Sequence, residues 1–128
     1  MKLYSWNVNG IRAAEKKGFL DWLQETKPDI VCLQETKAAV DQLSESLLSA
    51  HGYHTYFHSA EKRGYSGVAT YCKSLPLYVQ EGLGIERFDR EGRVLLTEHK
   101  NFLLYNIYFP NGQKNDERLQ YKLDFYDD

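Results

Sequence analysis

Cysteine is scarce in this 128-residue chain, charge of neither sign dominates, and no long apolar run occurs. Each shortage excludes something. The two cysteines, Cys32 and Cys72, lie in apolar, strand-like stretches. They are expected to be reduced, buried thiols of a cytoplasmic protein, with one disulfide as the alternative. A disulfide-stapled secreted scaffold is excluded. No segment approaches the roughly 18 consecutive apolar residues that a membrane helix needs, so no membrane partner is expected. The N-terminus begins with a strand-like pattern and not a basic-then-apolar leader. Sixteen basic residues against eighteen acidic ones leave a formal charge of -2, which rules out a uniformly basic nucleic-acid coat. A local basic surface stays open, because binding follows the distribution of charge and not its sum.

What is present is the composition of one ordinary folded domain. The hydrophobic share is 42% and the charged share 27%, too apolar and too balanced for a disordered chain. Ten tyrosines make the apolar content amphipathic in detail. Residues 2–8 read as a strand that Asn9-Gly10 ends with a turn pair. Phe19, Trp22 and Leu23 share one face of a helix over 19–27, and Pro28 stops it. The run 30–33 reads as a strand buried on both faces. Val40, Leu43, Leu47 and Leu48 have helical spacing and predict a helix over 40–48, with Gly52 closing it. Segments 53–58, 68–72, 77–79, 94–99 and 102–108 read as strands, and 117–128 as a helix carrying Leu119, Leu123 and Tyr126 on one face.

The order β-α-β at the start carries most of the inference. Two strands joined through a helix should be parallel with a right-handed crossover, so their carboxyl ends open on one side. Ligands of open α/β sheets bind at those ends. Asn7 ends the first strand and Glu35 the second, which predicts an amide and a carboxylate facing one crevice. The spacing alone leaves both open to plainer readings, a turn residue for Asn7 and a solvated strand end for Glu35.

Four signatures then fall in register: Ser5-Trp6-Asn7-Val8-Asn9-Gly10-Ile11-Arg12-Ala13, Leu33-Gln34-Glu35-Thr36-Lys37, Gly64-Tyr65-Ser66-Gly67-Val68, and Asn106-Ile107-Tyr108-Phe109-Pro110-Asn111. In combination the chain resembles the exonuclease III family of apurinic/apyrimidinic endonucleases, within the endonuclease/exonuclease/phosphatase superfamily. The resemblance implies an α/β fold, the N-terminal half of a four-layer α-β-β-α sandwich with a mixed β-sheet and flanking helices. It also implies roles residue by residue. Glu35 matches a magnesium-ligating glutamate, with Mn²⁺ as the alternative ion, and a hard divalent cation is served by one or two carboxylates plus waters and phosphate oxygens. Asn7 matches an asparagine beside the metal that orients the scissile phosphate, and is counted both with the catalytic group and, next to Glu35, with the metal site. Tyr108 matches a tyrosine that contacts the target phosphate, a donor suited to developing negative charge. Asn9, where the family has Asp or Asn, Arg12, Tyr65 and Asn111 match DNA-contacting positions. Lys37 matches a lysine close to the metal glutamate and stays open between that role and plain surface charge.

Around these positions Arg12, Lys16 and Lys17, then Lys62 and Arg63, then Lys114 and Arg118 could form a basic rail for phosphates, or a scatter of solvated charges. The four histidines receive no role, since His54 and His58 are spaced for a helical metal pair but lie in a strand-like segment.

The resemblance also has a gap. Family members are considerably longer, and their second half supplies a Gly-Asp-x-Asn segment whose aspartate activates water and a Ser-Asp-His segment whose histidine contacts the phosphate. Neither Gly-Asp nor Asp-His occurs in this chain. The expectation is therefore the N-terminal part, residues 1–128, of a single domain whose C-terminal part is absent, holding about one sheet whose inner face lacks its partner. By resemblance the function is a magnesium-dependent DNA repair nuclease that hydrolyses the phosphodiester 5′ to abasic sites in double-stranded DNA, with 3′-to-5′ exodeoxyribonuclease activity as a further capacity. The isolated chain is expected to be inactive. The alternatives are a catalytically dead DNA-binding or assembly half, and another phosphoesterase of the superfamily.

Overall fold

A computed structural model describes residues 1–109; the expected helix over 117–128 lies outside them. Strand β1 (Leu3–Asn7) leads into two short helices, α1 (Ile11–Lys16) and α2 (Phe19–Thr26), and then β2 (Ile30–Gln34). Helix α3 (Glu45–Leu48), strands β3 (His54–His58), β4 (Val68–Cys72) and β5 (Tyr78–Glu81), one helical turn α4 (Glu86–Asp89), and strands β6 (Val94–His99) and β7 (Phe102–Ile107) follow. The first four strands form a mixed sheet in the order β1-β2-β4-β3, and the last three an antiparallel sheet in the order β5-β6-β7.

The expected parallel pairing of β1 and β2 is present, with Asn7 opposite Gln34. The chain between them reverses through α1 and α2. Lys27, left-handed at φ 50, closes α2, and its N–H reaches the Leu23 carbonyl. Pro28 follows, where the ladder could not continue.

Strand β2 is buried along Ile30 to Leu33, as its unbroken apolar run requires. Its two faces serve different layers, because side chains alternate across a strand. Val31 and Leu33 pack with Ile11, Phe19, Leu23 and Tyr71 beneath the helices. Ile30 and Cys32 pack on the other side with Cys72, Tyr56, Phe102 and Leu104. The second face corrects the expectation of one sheet with an uncovered inner side: a three-stranded sheet covers it. Among the described residues the layers are helix, four-stranded sheet and three-stranded sheet. Asn106, on β7, ties the sheets together. Its Nδ2 donates to the carbonyls of Leu33 at 3.2 Å and Ala69 at 2.7 Å, and its Oδ1 accepts from Gln34 Nε2 at 2.9 Å. Both cysteines are free and buried, and burial pushes the Cys32 thiol up to about 12 and the Cys72 thiol up to about 11.

One local expectation needs correcting, and two short elements were not foreseen. The helix expected over 40–48 is broken: a short 3-10 turn at Val40–Gln42 precedes α3, and the chain is extended at Leu43 and Ser44. The reason is polar. The Gln42 side chain accepts from the Ala39 N–H at 2.9 Å, and the Ser44 hydroxyl accepts from the Leu47 N–H at 3.2 Å. Such side-chain bonds compete with a continuous helix and favour a fresh N-terminus. Helix α1 was unforeseen, since Ile11 and Ala14 alone give it a buried edge. The turn α4 was also unforeseen. No helix among the described residues is long and apolar enough to cross a membrane.

Candidate active site

The carboxyl ends of β1 and β2 are joined beyond the strands. The N–H groups of Val8, Gly10 and Ile11 donate to the carbonyls of Gln34, Glu35 and Thr36 at 3.0, 2.7 and 2.9 Å. The backbone therefore brings residues 7–9 and 35–37 side by side. Asn9, Glu35 and Lys37 are left-handed, with φ 48, 59 and 55. For Glu and Lys this conformation costs about 1–2 kcal/mol each, so surrounding bonds must hold it. They come from the Gly64–Gly67 loop: Thr36 N–H donates to the Gly67 carbonyl at 3.1 Å and Lys37 N–H to the Ser66 carbonyl at 2.8 Å.

Four of the expected site residues form one cluster there. Asn7 Nδ2 donates to Glu35 Oε1 at 3.1 Å, and the Asn9 N–H donates to Asn7 Oδ1 at 3.0 Å. Lys37 Nζ is 3.1 Å from Glu35 Oε2 and 2.6 Å from Asn9 Oδ1. Partial burial pushes the Glu35 carboxyl up, but the hydrogen bonds from Asn7 and Lys37, the Lys37 charge and a hydrogen bond from the Tyr108 hydroxyl outweigh it and hold the group below the usual carboxylate range. Tyr108 closes the cluster from the other sheet. Its own burial, then the nearby Glu35 charge, raise its phenol, against a lowering by Arg93.

Tyr65 and Tyr108 are joined by a residue the sequence reading did not single out. Arg93 is buried to 2% exposure. Its Nη2 donates to the Tyr65 hydroxyl at 3.0 Å and its Nη1 to the Tyr108 carbonyl at 3.1 Å. Glu91 supplies the counter-charge at 2.9 Å. The guanidinium carbon lies 5.8 Å from the Tyr65 ring centre and 5.0 Å from that of Tyr108. No local pattern marks Arg93, because an arginine after Glu-Gly in a turn reads as solvated. Asn106 was quoted within a motif, but its role between the sheets was equally invisible.

The expected basic rail divides. Arg12 reaches the Lys37 carbonyl at 3.5 Å and, with Gly10, Lys16, Lys37, Ser44 and Gly64, lines an open groove of about 580 Å³ beside the cluster. Lys62 lies over the Tyr65 ring at 5.3 Å. Arg63 is paired in a fork with Asp41 at 2.8 and 3.1 Å, so its charge is offset. Asn111, Lys114 and Arg118 lie outside the described residues.

As for a metal, no group of three or more His, Cys, Asp or Glu side chains converges among the described residues. Glu35 is the lone carboxylate of the cluster. Its Oε2 and Asn9 Oδ1 nevertheless converge on a cation, the Lys37 ammonium. One carboxylate with an amide oxygen fits a hard divalent ion that keeps waters and takes phosphate oxygens as its other ligands.

The strand ends of the mixed sheet gather an amide, a carboxylate and a lysine, and the Tyr108 phenol meets them from the end of β7. The chain belongs to the endonuclease/exonuclease/phosphatase family, whose model matches residues 4–128. It is 45% identical over 124 residues to an exodeoxyribonuclease of Bacillus subtilis (strain 168), covering 96% of this chain and 48% of that protein. It is 47% identical over 124 residues to the DNA repair nuclease APEX1 of Danio rerio, covering 95% of this chain and 40% of that one. Among solved structures, an AP endonuclease from Archaeoglobus fulgidus superposes with a TM-score of 0.84 at 35% identity, over 99% of this chain and 48% of that one. The chain thus spans about half the length or less of the relatives it matches.

Proposed function

We propose that these residues form one half of the active site of a metal-dependent DNA repair nuclease, which hydrolyses the phosphodiester 5′ to an abasic site in duplex DNA and also removes nucleotides from 3′ ends. The observation that carries this reading is the Asn7–Glu35–Lys37–Asn9 cluster with Tyr108 directed at it. Glu35 and Asn9 would hold the ion, Mg²⁺ or in its place Mn²⁺, which when bound supplies a Lewis acid for the phosphate oxygens. Asn7 keeps the carboxylate oriented and ionised. The Tyr108 phenol, raised above its ordinary value, remains a protonated donor at neutral pH and offers a hydrogen bond to a phosphate oxygen as charge develops. Arg12 and Lys16 line the groove along which the DNA backbone would run, with Tyr65 and Asn111 as further DNA contacts.

In this reading the complete site belongs to a four-layer α-β-β-α sandwich. The family's water-activating Gly-Asp-x-Asn and phosphate-contacting Ser-Asp-His segments have no counterpart in these 128 residues, so residues 1–128 alone do not cleave. The working compartment is the cytoplasm, in keeping with free thiols at Cys32 and Cys72.

The test is Glu35→Ala in a protein that carries these residues and has the length of its relatives, assayed on an abasic duplex with Mg²⁺. Cleavage should be nearly abolished while DNA binding persists. Normal turnover at saturating Mg²⁺ would remove Glu35 from the metal site. Binding without cleavage in the unsubstituted protein would favour the DNA-binding or assembly reading.

A further inference from the structure

A buried arginine in a protein of this size needs a reason. Taking a guanidinium out of water costs several kcal/mol unless its partners are well placed. Arg93 has those partners: Glu91, two residues away, and Tyr65 and Tyr108 in two segments farther off in sequence. Glu91 Oε1 accepts from its Nε at 3.1 Å and its Nη2 at 2.9 Å. The Tyr65 hydroxyl also donates to Glu91 Oε1, at 3.1 Å. The Arg93 backbone joins the same assembly, because the Tyr108 N–H donates to its carbonyl at 2.9 Å. Tyr108 is thus held by Arg93 at its N–H, at its carbonyl and across its ring. The neighbouring Gly92 fixes this strand start: its carbonyl accepts from the Gly67 N–H at 3.0 Å, and a Cβ there would meet the backbone of Ser59 and Ala60 at 2.5 and 2.4 Å.

We propose that Arg93 is a positioning residue for the phosphate-facing side of the site: its planar fork locks the Gly64–Gly67 loop to β7 and sets where the Tyr108 hydroxyl lies relative to Glu35. This deepens the nuclease reading and rests on it, because Tyr108 matters only if it touches the phosphate. Arginine is required and not merely a cation. Lysine would keep the charge but has no rigid fork with which to reach the Tyr65 hydroxyl, the Tyr108 carbonyl and Glu91 together. Misplacement of a contacting group by about 1 Å can lower a rate by about 10²-fold.

The experiment is a double-mutant cycle between Arg93→Lys and Tyr108→Phe, in a protein that carries these residues and has its relatives' length, with kcat and KM measured separately on an abasic duplex. Arg93→Lys should lower kcat by about 10- to 100-fold with KM nearly unchanged. In the Tyr108→Phe background the same substitution should change kcat less than about 3-fold, because the group it positions is already gone. Glu91→Gln, which keeps the shape and removes the counter-charge, provides a second arm if Arg93→Lys does not fold; it should show the same coupling with a smaller loss. Equal losses in both backgrounds, or a fall in melting temperature without a fall in kcat, would overturn the positioning role and leave Arg93 as framework. If Tyr108→Phe alone turns over normally, the phosphate role of Tyr108 fails, and the proposal for Arg93 fails with it. If Tyr108→Phe is impaired but uncoupled from Arg93, only the latter fails.

Discussion

The Asn7 amide donates to Glu35 Oε1 at 3.1 Å while its own carbonyl oxygen accepts the Asn9 N–H at 3.0 Å. This fixes the orientation of the amide, so Asn7 always presents hydrogen atoms to the carboxylate. The arrangement favours the ionised form of Glu35, as does Lys37 on the other oxygen.

A pH dependence follows. Burial raises the Glu35 carboxyl, but Asn7, Lys37 and Tyr108 together lower it below its ordinary value. A carboxyl depressed in the folded state contributes stability that is fully present above its unfolded pKa, about 4.3, and is lost as the pH falls through its folded value. Asn7→Ala removes one of the lowering hydrogen bonds. The Glu35 side-chain carbon, followed by NMR, should then titrate at higher pH than in the unsubstituted chain. An unchanged midpoint would mean that Lys37 and Tyr108 keep Glu35 ionised without Asn7.

Tyr108→Phe keeps the ring over Arg93 and removes only the hydroxyl. Turnover on an abasic duplex should fall by roughly 10²-fold or more if the hydroxyl acts on developing charge. Because the ring and backbone contacts with Arg93 persist, the melting temperature should change little. A loss of stability without a loss of rate would return Tyr108 to a purely structural role.

The geometry of Asn7 and Glu35 was legible because it is topological. A parallel pair brings both strand ends to one side whatever the side chains do. Arg93 and Asn106 were not legible for the opposite reason. Apart from Glu91 beside Arg93, their partners lie far along the chain, 28 residues away at Tyr65 and 73 at Leu33, and nothing local distinguishes them from solvated residues. The strands were visible in the sequence, but which sheet each joins depends on contacts such as Ile30 and Cys32 against Phe102 and Leu104. Short-range patterning does not encode that choice. The break near Ser44 shows a nearer limit, where an apolar repeat at helical spacing was overruled by two polar side chains bonding to their own backbone.

Gly67 has φ +91, and a Cβ there would stand 2.3 Å from Thr36 Oγ1. Thr36 lies between Glu35 and Lys37 and is buried. Gly67→Ala therefore combines left-handed strain with a clash against a buried side chain, relieved either by turning the Thr36 hydroxyl away or by moving the 35–37 turn. Stability should fall by about 1–3 kcal/mol in urea denaturation, and cleavage should suffer beyond what the lost stability explains. Full activity at temperatures where the variant is folded would show that the turn absorbs the methyl group without moving Glu35.

Asn106 gives the last prediction, which concerns the seam between the sheets. Its side chain is buried, and its amide donates toward the Leu33 and Ala69 carbonyls and the Thr70 hydroxyl, while its oxygen accepts a hydrogen bond from Gln34 Nε2. Asn106→Ala removes every one of these bonds and leaves a small cavity. Net hydrogen-bond losses of about 1 kcal/mol each, with the cost of stranded polar groups, give about 2–4 kcal/mol. Asn106→Asp should be worse, because a carboxylate would face the Leu33 and Ala69 carbonyls with no hydrogen to offer and would be desolvated as well. Asn106→Leu should lose less than the alanine variant, since both leave Gln34 its second acceptor, the Ser5 hydroxyl at 3.1 Å, and only alanine leaves a cavity. The order of stability leucine, then alanine, then aspartate, measured by denaturant unfolding, is what a polar tie in a packed seam demands. If aspartate proves as stable as asparagine, water reaches this amide and the two sheets are not sealed at β7.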